Sequence, residues 1–519
     1  MRTQVRERFE GQSVLQSFTV PRVRSSVHFN DKKIWLAAFL LRCLAMSEPS
    51  LDIRAGAGNR RPAVIVARES GLQRNLTPAQ LAMLGLGSTI GTGLFLGSAI
   101  AVKLAGPAVI LSFVAGASIA LPMMWALAEM AAAHPTPGSF GLYAEMYLHP
   151  WAGFAIRLTY WLCMMVVVGS EVVAASIYCR LWFPQTPAWI WIGLLSLLIL
   201  YVNTINIGNL GTFEYWLSMV KIVTILAFLV LGSALLFGLG FPKVGLANYT
   251  AYGGFMPNGW KGVALGVILG LFSFFGIEVV GSTAGEAADP KVAVPQALRH
   301  TVSALVLFYV AGLALVVGIV PWKQIDMGAS PFVRVFQTVG IPAASNIMNF
   351  VVLTAALSSA VANLYFAARL AFSLARGGYL PAQLGRLNKK DMPMTAVLAS
   401  GGGMVAAMML SKSFQESLFV SMIAVSTFGA LFAWLMTLLT HLAFRRYHHR
   451  DAKPYLRLGP PGPWASLAGL IAVLAVMLST WWVPGFRIML LSGVPWLVLL
   501  TVCYFVWRRN DSRISGPGE

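Results

Sequence analysis

Residues 85–95 read Gly-Leu-Gly-Ser-Thr-Ile-Gly-Thr-Gly-Leu-Phe, and they lie inside an apolar run covering roughly 79–103. The run is long enough to cross a bilayer. From Gly87 to Gly93 every residue except Ile90 is small or hydroxylated, and such residues are poor helix formers in water. At membrane depth, non-helical backbone survives only where it is buried in protein or lines a water-filled cavity. A break here frees N–H groups at the start of the second half-helix, and these groups attract a carboxylate. Close packing of helices through small residues is the competing explanation, and for this stretch alone it is the commoner outcome. A phosphate loop does not fit, because no strand precedes the glycines and no Lys-Ser/Thr follows them.

A second interrupted run changes that balance. Residues 272–286 read Phe-Ser-Phe-Phe-Gly-Ile-Glu-Val-Val-Gly-Ser-Thr-Ala-Gly-Glu, five spans after the first. Paired interruptions at corresponding places in two halves point to a binding site of the kind transporters build.

The rest of the chain agrees with a polytopic, all-α membrane protein. Of 519 residues, 57% are hydrophobic and 11% charged, against about 25% charged in soluble domains. About twelve spans follow from Leu76: 79–103, 107–132, 152–179, 188–206, 213–238, 261–287, 299–320, 343–376, 394–411, 415–443, 463–483 and 487–508. The net charge of +19 would suggest nucleic acid in a soluble protein. In a membrane protein it reflects Lys and Arg gathered in cytoplasmic loops. The loops placed inside carry Lys291, Arg299, Arg376, Lys389, Arg445 and Arg446. With the basic N-terminal tail, they put both termini in the cytoplasm. Trp182, Trp189, Trp191, Trp260, Trp322 and Trp482 fall near span ends, where an aromatic belt belongs. The four cysteines are scattered, with no metal or redox spacing. No cofactor is expected.

Residues 1–75 read as a basic, disordered cytoplasmic tail, and Met46 opens a more ordinary start within it. The transport core is expected over 76–445, two further helices over 446–510 and a short tail over 511–519.

Three ionisable residues fall at membrane depth: Glu171 in span three, Lys221 about two turns into span five, and Glu278 in span six. Charges there are costly and mark ion or proton pathways, with a structural ion pair as the alternative. Glu129, Glu145, Glu214 and Glu286 fall near span ends and are expected to be interfacial or structural.

Together these residues identify a resemblance. The chain is similar to bacterial amino-acid permeases, in the amino acid transporter branch of the amino acid–polyamine–organocation superfamily, from about Leu76 to Arg446 and more weakly to Arg509. The landmarks are residues 87–95, Pro137-Gly-Ser-Phe, Tyr160-Trp with Glu171, Phe213-Glu-Tyr-Trp with Lys221, Phe275-Gly-Ile-Glu with Ala284-Gly-Glu-Ala-Ala-Asp-Pro, and Val425-Ser-Thr-Phe-Gly with Trp434, His441 and Phe444-Arg-Arg.

The resemblance implies five-plus-five inverted repeats, discontinuous helices one and six, and two extra C-terminal helices. It implies that Gly91, Thr92 and Gly93 bind a substrate α-carboxylate through N–H groups and the Thr92 hydroxyl. It assigns the α-ammonium to carbonyls of Thr89, Phe272 and Phe275, with Gly276 and Ile277 also in the substrate site. Phe272 stands where the family has an aromatic gate, and Glu171 at a substrate-facing position. Lys221 replaces a sodium ion of related transporters, so Lys221, Glu278 and Glu171 are expected to couple transport to protons.

One departure stands out: Ser358-Ser-Ala-Val-Ala-Asn-Leu-Tyr365 differs from the family's usual Asn-Ser-Gly pattern in span eight. The pocket otherwise reads as apolar apart from Glu171, which favours a neutral amino acid. The rivals are exchange without proton coupling and a non-transporting amino-acid sensor. A membrane enzyme would need a nucleophile–base pair or metal ligands at depth, and neither HExxH nor Gly-x-Ser-x-Gly occurs.

Overall fold

The computed structural model describes residues 76–136, 138–204, 207–239, 244–287, 289–340, 342–413, 417–447, 463–483 and 485–514. The tail expected over residues 1–75 lies outside the described residues.

The chain runs as helices α1 (Pro78–Thr89), α2 (Ser98–Ala105), α3 (Val109–Ala133), α4 (Ser139–Tyr147), α5 (Pro150–Arg180), α6 (Ala188–Val202), α7 (Ile207–Phe237), α8 (Gly259–Phe274), α9 (Val279–Ser282), α10 (Pro290–Ile319), α11 (Pro331–Thr338), α12 (Pro342–Arg376), α13 (Met394–Ser400), α14 (Gly402–Leu410), α15 (Leu418–Tyr447), α16 (Trp464–Ser479) and α17 (Arg487–Ile514). Among the described residues, nine helical stretches are long and apolar enough to cross a membrane. One of them, Pro78–Ala133, contains the first two expected spans. These turn at Gly106, which takes φ +63°, a conformation that favours glycine. Two shorter apolar helices, Ala188–Val202 and Met394–Leu410, coincide with expected spans four and nine.

Local sequence explains several helix starts. The Thr77 hydroxyl accepts the Gln80 N–H while the Gln80 side chain reaches back to Thr77 N–H, and Pro78 occupies the first helical position. That capping box satisfies donors that a helix start otherwise leaves orphaned. His149 caps α5 by accepting the Trp151 N–H. At the centre of the molecule α5 packs along α12 and α15. The close contact of α5 with α14 depends on glycine: a Cβ on Gly403 would fall 1.8 Å from the Met165 carbonyl oxygen.

Three expectations are corrected. Lys291, Arg376, Arg445 and Arg446 stand on helix ends and Arg299 nearly three turns into α10, rather than in loops, because α10, α12 and α15 extend beyond their apolar stretches. Two short helices, α4 and α11, occupy segments read as connections. Lys221 lies mid-way along α7 rather than two turns in, because the helix starts at Ile207.

Glu129, Glu145, Glu214 and Glu286 are all buried, which favours the structural of the two alternatives over the interfacial one. Burying a carboxylate is tolerable when a cation or donor compensates. Glu145 pairs with the fully buried Arg157, and Glu286 with Arg369 at 3.1 Å. Glu129 meets Arg445 at 2.7 Å and His441 at 2.9 Å. Glu214 accepts the Ser358 hydroxyl at 2.7 Å.

Candidate functional site

The first span breaks where its residues suggested. Helix α1 ends at Thr89, a π-helical turn covers Gly93–Gly97, and α2 follows. The sixth span breaks between α8 and α9, across residues 275–278. Gly276 takes φ +99°, so glycine is what allows the chain to turn here.

The two breaks face a common cavity. Thr89, Gly93, Glu171, Phe272, Phe275 and Gly276 line it, joined by Ser88 and Asn363. Its volume is about 10 Å³, room for roughly one water molecule. A molecule larger than water therefore enters only if the surrounding helices move apart.

Glu171 comes from α5 and is buried against the first break. Its carboxylate accepts the Thr92 N–H at 3.2 Å and the Ser359 hydroxyl at 3.0 Å. The approach requires Gly91: a Cβ there would lie 2.7 Å from Glu171 Oε1 and 2.5 Å from Ser359 Oγ. The Thr92 hydroxyl is buried and has no hydrogen-bond partner among the described residues. A buried polar group in that condition is costly and calls for an explanation.

Lys221 stands on the other side of the same break. Its ammonium donates to the carbonyls of Gly87 at 2.7 Å and Ile90 at 3.0 Å. Helix α1 thus ends with the Lys221 amine on its terminal carbonyls, the end where a helix dipole favours a cation. Gly87 also admits Glu214, whose Oε2 would lie 2.8 Å from an added Cβ.

Glu278 does not line the cavity. It turns back on its own break, accepting the Gly276 N–H at 2.7 Å and the Trp434 indole N–H. Phe275 packs edge-on against Trp434 at 5.1 Å and against Phe272 at 5.7 Å. Phe272 lines the cavity beside Gly93. Ile277 is buried but is not one of the lining residues.

Two of the three carbonyls expected for an ammonium already accept hydrogen bonds. The Thr89 carbonyl takes the Gly91 N–H at 3.0 Å, and the Phe272 carbonyl takes the Phe275 N–H at 3.1 Å. The Phe272 carbonyl keeps a second lone pair for a further partner, whereas the Thr89 carbonyl also lies 3.1 Å from the Tyr309 hydroxyl.

Several contributors escaped the sequence reading. The Tyr309 hydroxyl lies 3.1 Å from the Thr89 carbonyl and 2.8 Å from the Ser273 carbonyl, bridging the two breaks. Ser88 donates to Asn363 at 2.6 Å, and the Ser359 hydroxyl, with one hydrogen to share between the Glu171 carboxylate and the Ser88 carbonyl, lies 2.9 Å from the latter. The site is therefore less apolar than expected. Two of these polar groups, Ser359 and Asn363, come from the stretch of span eight read as departing from the family pattern. Tyr309 carried no local signal. Ser359 and Asn363, four residues apart, share a helix face, which could have marked them.

A family model described as amino acid permease matches residues 80–513. The uncharacterized amino acid permease YtnA of Bacillus subtilis (strain 168) is 35% identical over 438 residues, 84% of this chain and 95% of that protein. The gamma-aminobutyric acid permease of the same organism is 34% identical over 446 residues, covering 85% and 95%. The aromatic amino acid transport protein AroP of Escherichia coli (strain K12) is 34% identical over 449 residues, covering 86% and 97%. The chain belongs to the amino acid permease family. It is a multi-pass bacterial membrane protein, and amino acids are the class of cargo its family carries.

Proposed function

We propose that this protein imports amino acids with neutral side chains by proton-coupled alternating access. The architecture would be about twelve spans, with two inverted five-helix repeats over 76–445 and two further helices after them. Both termini would lie in the cytoplasm. The α-carboxylate would be held by Gly91, Thr92 and Gly93, and the α-ammonium by the carbonyls of Thr89, Phe272 and Phe275, with Gly276 and Ile277 shaping the second break. Phe272 would close over the substrate. Glu171, Lys221 and Glu278 would carry the proton coupling, and no catalytic chemistry is involved.

The observation that supports this reading best is the pair of charges at the first break: Glu171 on the Thr92 N–H and Lys221 on the Gly87 and Ile90 carbonyls. A helix break that holds a carboxylate on one side and a fixed ammonium on the other suits a zwitterion and needs no metal ion. The unpartnered Thr92 hydroxyl supplies a further donor for a substrate carboxylate. The relatives named for gamma-aminobutyric acid and for aromatic amino acids favour cargo without a charged side chain.

The test is uptake of labelled amino acids into proteoliposomes, with each of the twenty as competitor, at two external pH values. Accumulation driven by an inward proton gradient supports the proposal. Uptake that ignores the gradient and requires amino acid inside the vesicle identifies an exchanger. Binding without translocation identifies a sensor.

A further inference from the structure

We infer that the recess between the loop after α5 and the end of α14 binds the phosphate headgroup of an anionic phospholipid. The recess has a volume of about 390 Å³, and Arg180, Gln185, Thr186, Trp189, Ser411 and Lys412 line it. It is remote in sequence from both helix breaks, and its Arg180 ends the helix that carries Glu171.

Charge is the first argument. Arg180 ends α5 and Lys412 follows α14, and both are exposed. Neither forms an ion pair with a carboxylate among the described residues, whereas Arg157, Arg334, Arg369 and Arg445 all do. No Asp or Glu occurs between residues 172 and 213, and the acidic residue nearest to Lys412 in sequence, Glu416, lies outside the described residues. Two cations facing one recess without a counter-charge among the described residues suit a phosphate, which accepts charge-assisted hydrogen bonds from both. Lys412 is already positioned, its ammonium 5.2 Å from the centre of the Trp189 ring, within cation–π range. The first turn of α6 begins at Ala188 without a side-chain cap, which adds to the positive potential.

The surroundings argue for a lipid over a soluble anion. Below the recess α6 exposes Trp189, Leu194, Leu197 and Tyr201, an apolar face that acyl chains can follow. Trp189 stands at the junction of polar and apolar surface, where indoles collect in membrane proteins. A lipid bound here would place its headgroup on Arg180 and Lys412 and its chains against α6 and the exposed Met409 of α14.

The experiment titrates delipidated, detergent-purified full-length protein with phosphatidylglycerol and, separately, with phosphatidylcholine of the same acyl chains. Bound lipid is counted by native mass spectrometry. Phosphatidylglycerol is expected to bind more tightly than phosphatidylcholine. Arg180→Ala/Lys412→Ala should weaken it by roughly 30-fold, the effect of removing two basic residues from an anionic-lipid contact. Arg180→Lys/Lys412→Arg should retain most of the binding, and Lys261→Ala, at an exposed cation outside the recess, all of it. Equal binding of the two lipids, or an unaffected double alanine variant, overturns the assignment. So does inorganic phosphate that displaces phosphatidylglycerol completely, since the site would then serve a soluble anion.

Discussion

The Glu171 carboxylate accepts the Thr92 N–H at 3.2 Å across the break in the first span, where the family resemblance places the carboxylate of the substrate. Two carboxylates would then compete for the same donors. Loss of charge on Glu171 weakens its hold, because hydrogen bonds to charged groups are worth about 1.5–3 kcal/mol against about 1 for neutral ones. Glu171→Gln keeps an acceptor in place and removes the charge. Initial uptake should fall by about tenfold or more, and its response to external pH should flatten. Labelled uptake at two pH values measures both. A variant that accumulates substrate normally with an unchanged pH response would show that Glu171 takes no part in coupling.

Lys221 ties together the Gly87 and Ile90 carbonyls and is an electrostatic neighbour of Glu214. Lys221→Ala leaves a buried carboxylate without its cation, a change that costs about 3–5 kcal/mol when a buried pair is broken. Lys221→Ala/Glu214→Gln removes the stranded charge as well. The double variant should be more stable than Lys221→Ala alone, by a coupling of about 0.5–3 kcal/mol. Thermal unfolding in detergent reads this directly, and simple additivity of the two substitutions would argue that they do not interact.

Both breaks were legible because their causes are local. Six small or hydroxylated residues in the seven from Gly87 to Gly93, and a Phe-Gly-Ile-Glu in mid-span, disfavour continuous helix wherever they occur. The partners of those breaks were not legible, because they arrive from distant sequence. Tyr309 joins Thr89 to Ser273, and Trp434 reaches Glu278 from 156 residues away. Arg157 and Arg369, within spans three and eight, escaped the sequence reading, and only the folded chain shows that Glu145 and Glu286 neutralise them. Glu278 was correctly marked as a buried carboxylate, while its orientation toward Gly276 and away from the cavity depends on a backbone turn that the spacing of apolar residues does not encode.

The Glu286–Arg369 pair binds the end of the sixth span to α12, with the Tyr365 hydroxyl donating to the same carboxylate. The Glu286 carbonyl also accepts the Leu76 N–H at 3.0 Å, attaching the chain just before α1. Arg369→Met strands a buried carboxylate and should cost about 3–5 kcal/mol, whereas Glu286→Gln/Arg369→Met should recover much of that stability. Detergent-solubilised protein followed by thermal unfolding distinguishes the two. If the single and double variants melt together, the pair has no net coupling.

Asp326 and Arg334 form a bidentate pair at 2.8 and 2.9 Å outside the spans. Partial burial pushes the Asp326 pKa up. Hydrogen bonds from Arg334 and the Gly328 N–H, with the Arg334 charge, outweigh it and hold the carboxyl below its usual value. A depressed folded-state pKa contributes stability at pH above the unfolded value of about 3.9, and that stability is lost as pH falls through the lower folded value. The pair is about half exposed, so its contribution is under about 1 kcal/mol. Asp326→Asn should therefore lower the melting temperature slightly at neutral pH, and the difference from wild type should vanish in acid. A gap that widens on acidification would contradict this sign.

Gly276 sets the strictest local demand of the site, and a substitution separates its two components. Its φ of +99° is strained for any side chain, at a cost of about 1–3 kcal/mol. An added Cβ would also lie 2.6 Å from Ser88 Oγ and 2.9 Å from the Ser88 carbonyl oxygen. The hydroxyl can rotate away, but the carbonyl belongs to the backbone of the first break, so relief requires the two breaks to separate. Gly245 provides the control, with φ +77° and nothing within 4 Å of an added Cβ. Gly245→Ala should destabilise through strain alone and leave transport intact. Gly276→Ala should abolish uptake at a temperature where the protein remains folded, because it displaces Ser88 and with it the contacts to Asn363 and Ser359. Ser88→Ala in the same background should not restore uptake, since the backbone oxygen stays in place. Restored uptake in that double variant would place the conflict at the Ser88 hydroxyl and would leave the spacing between the two breaks without a role in transport.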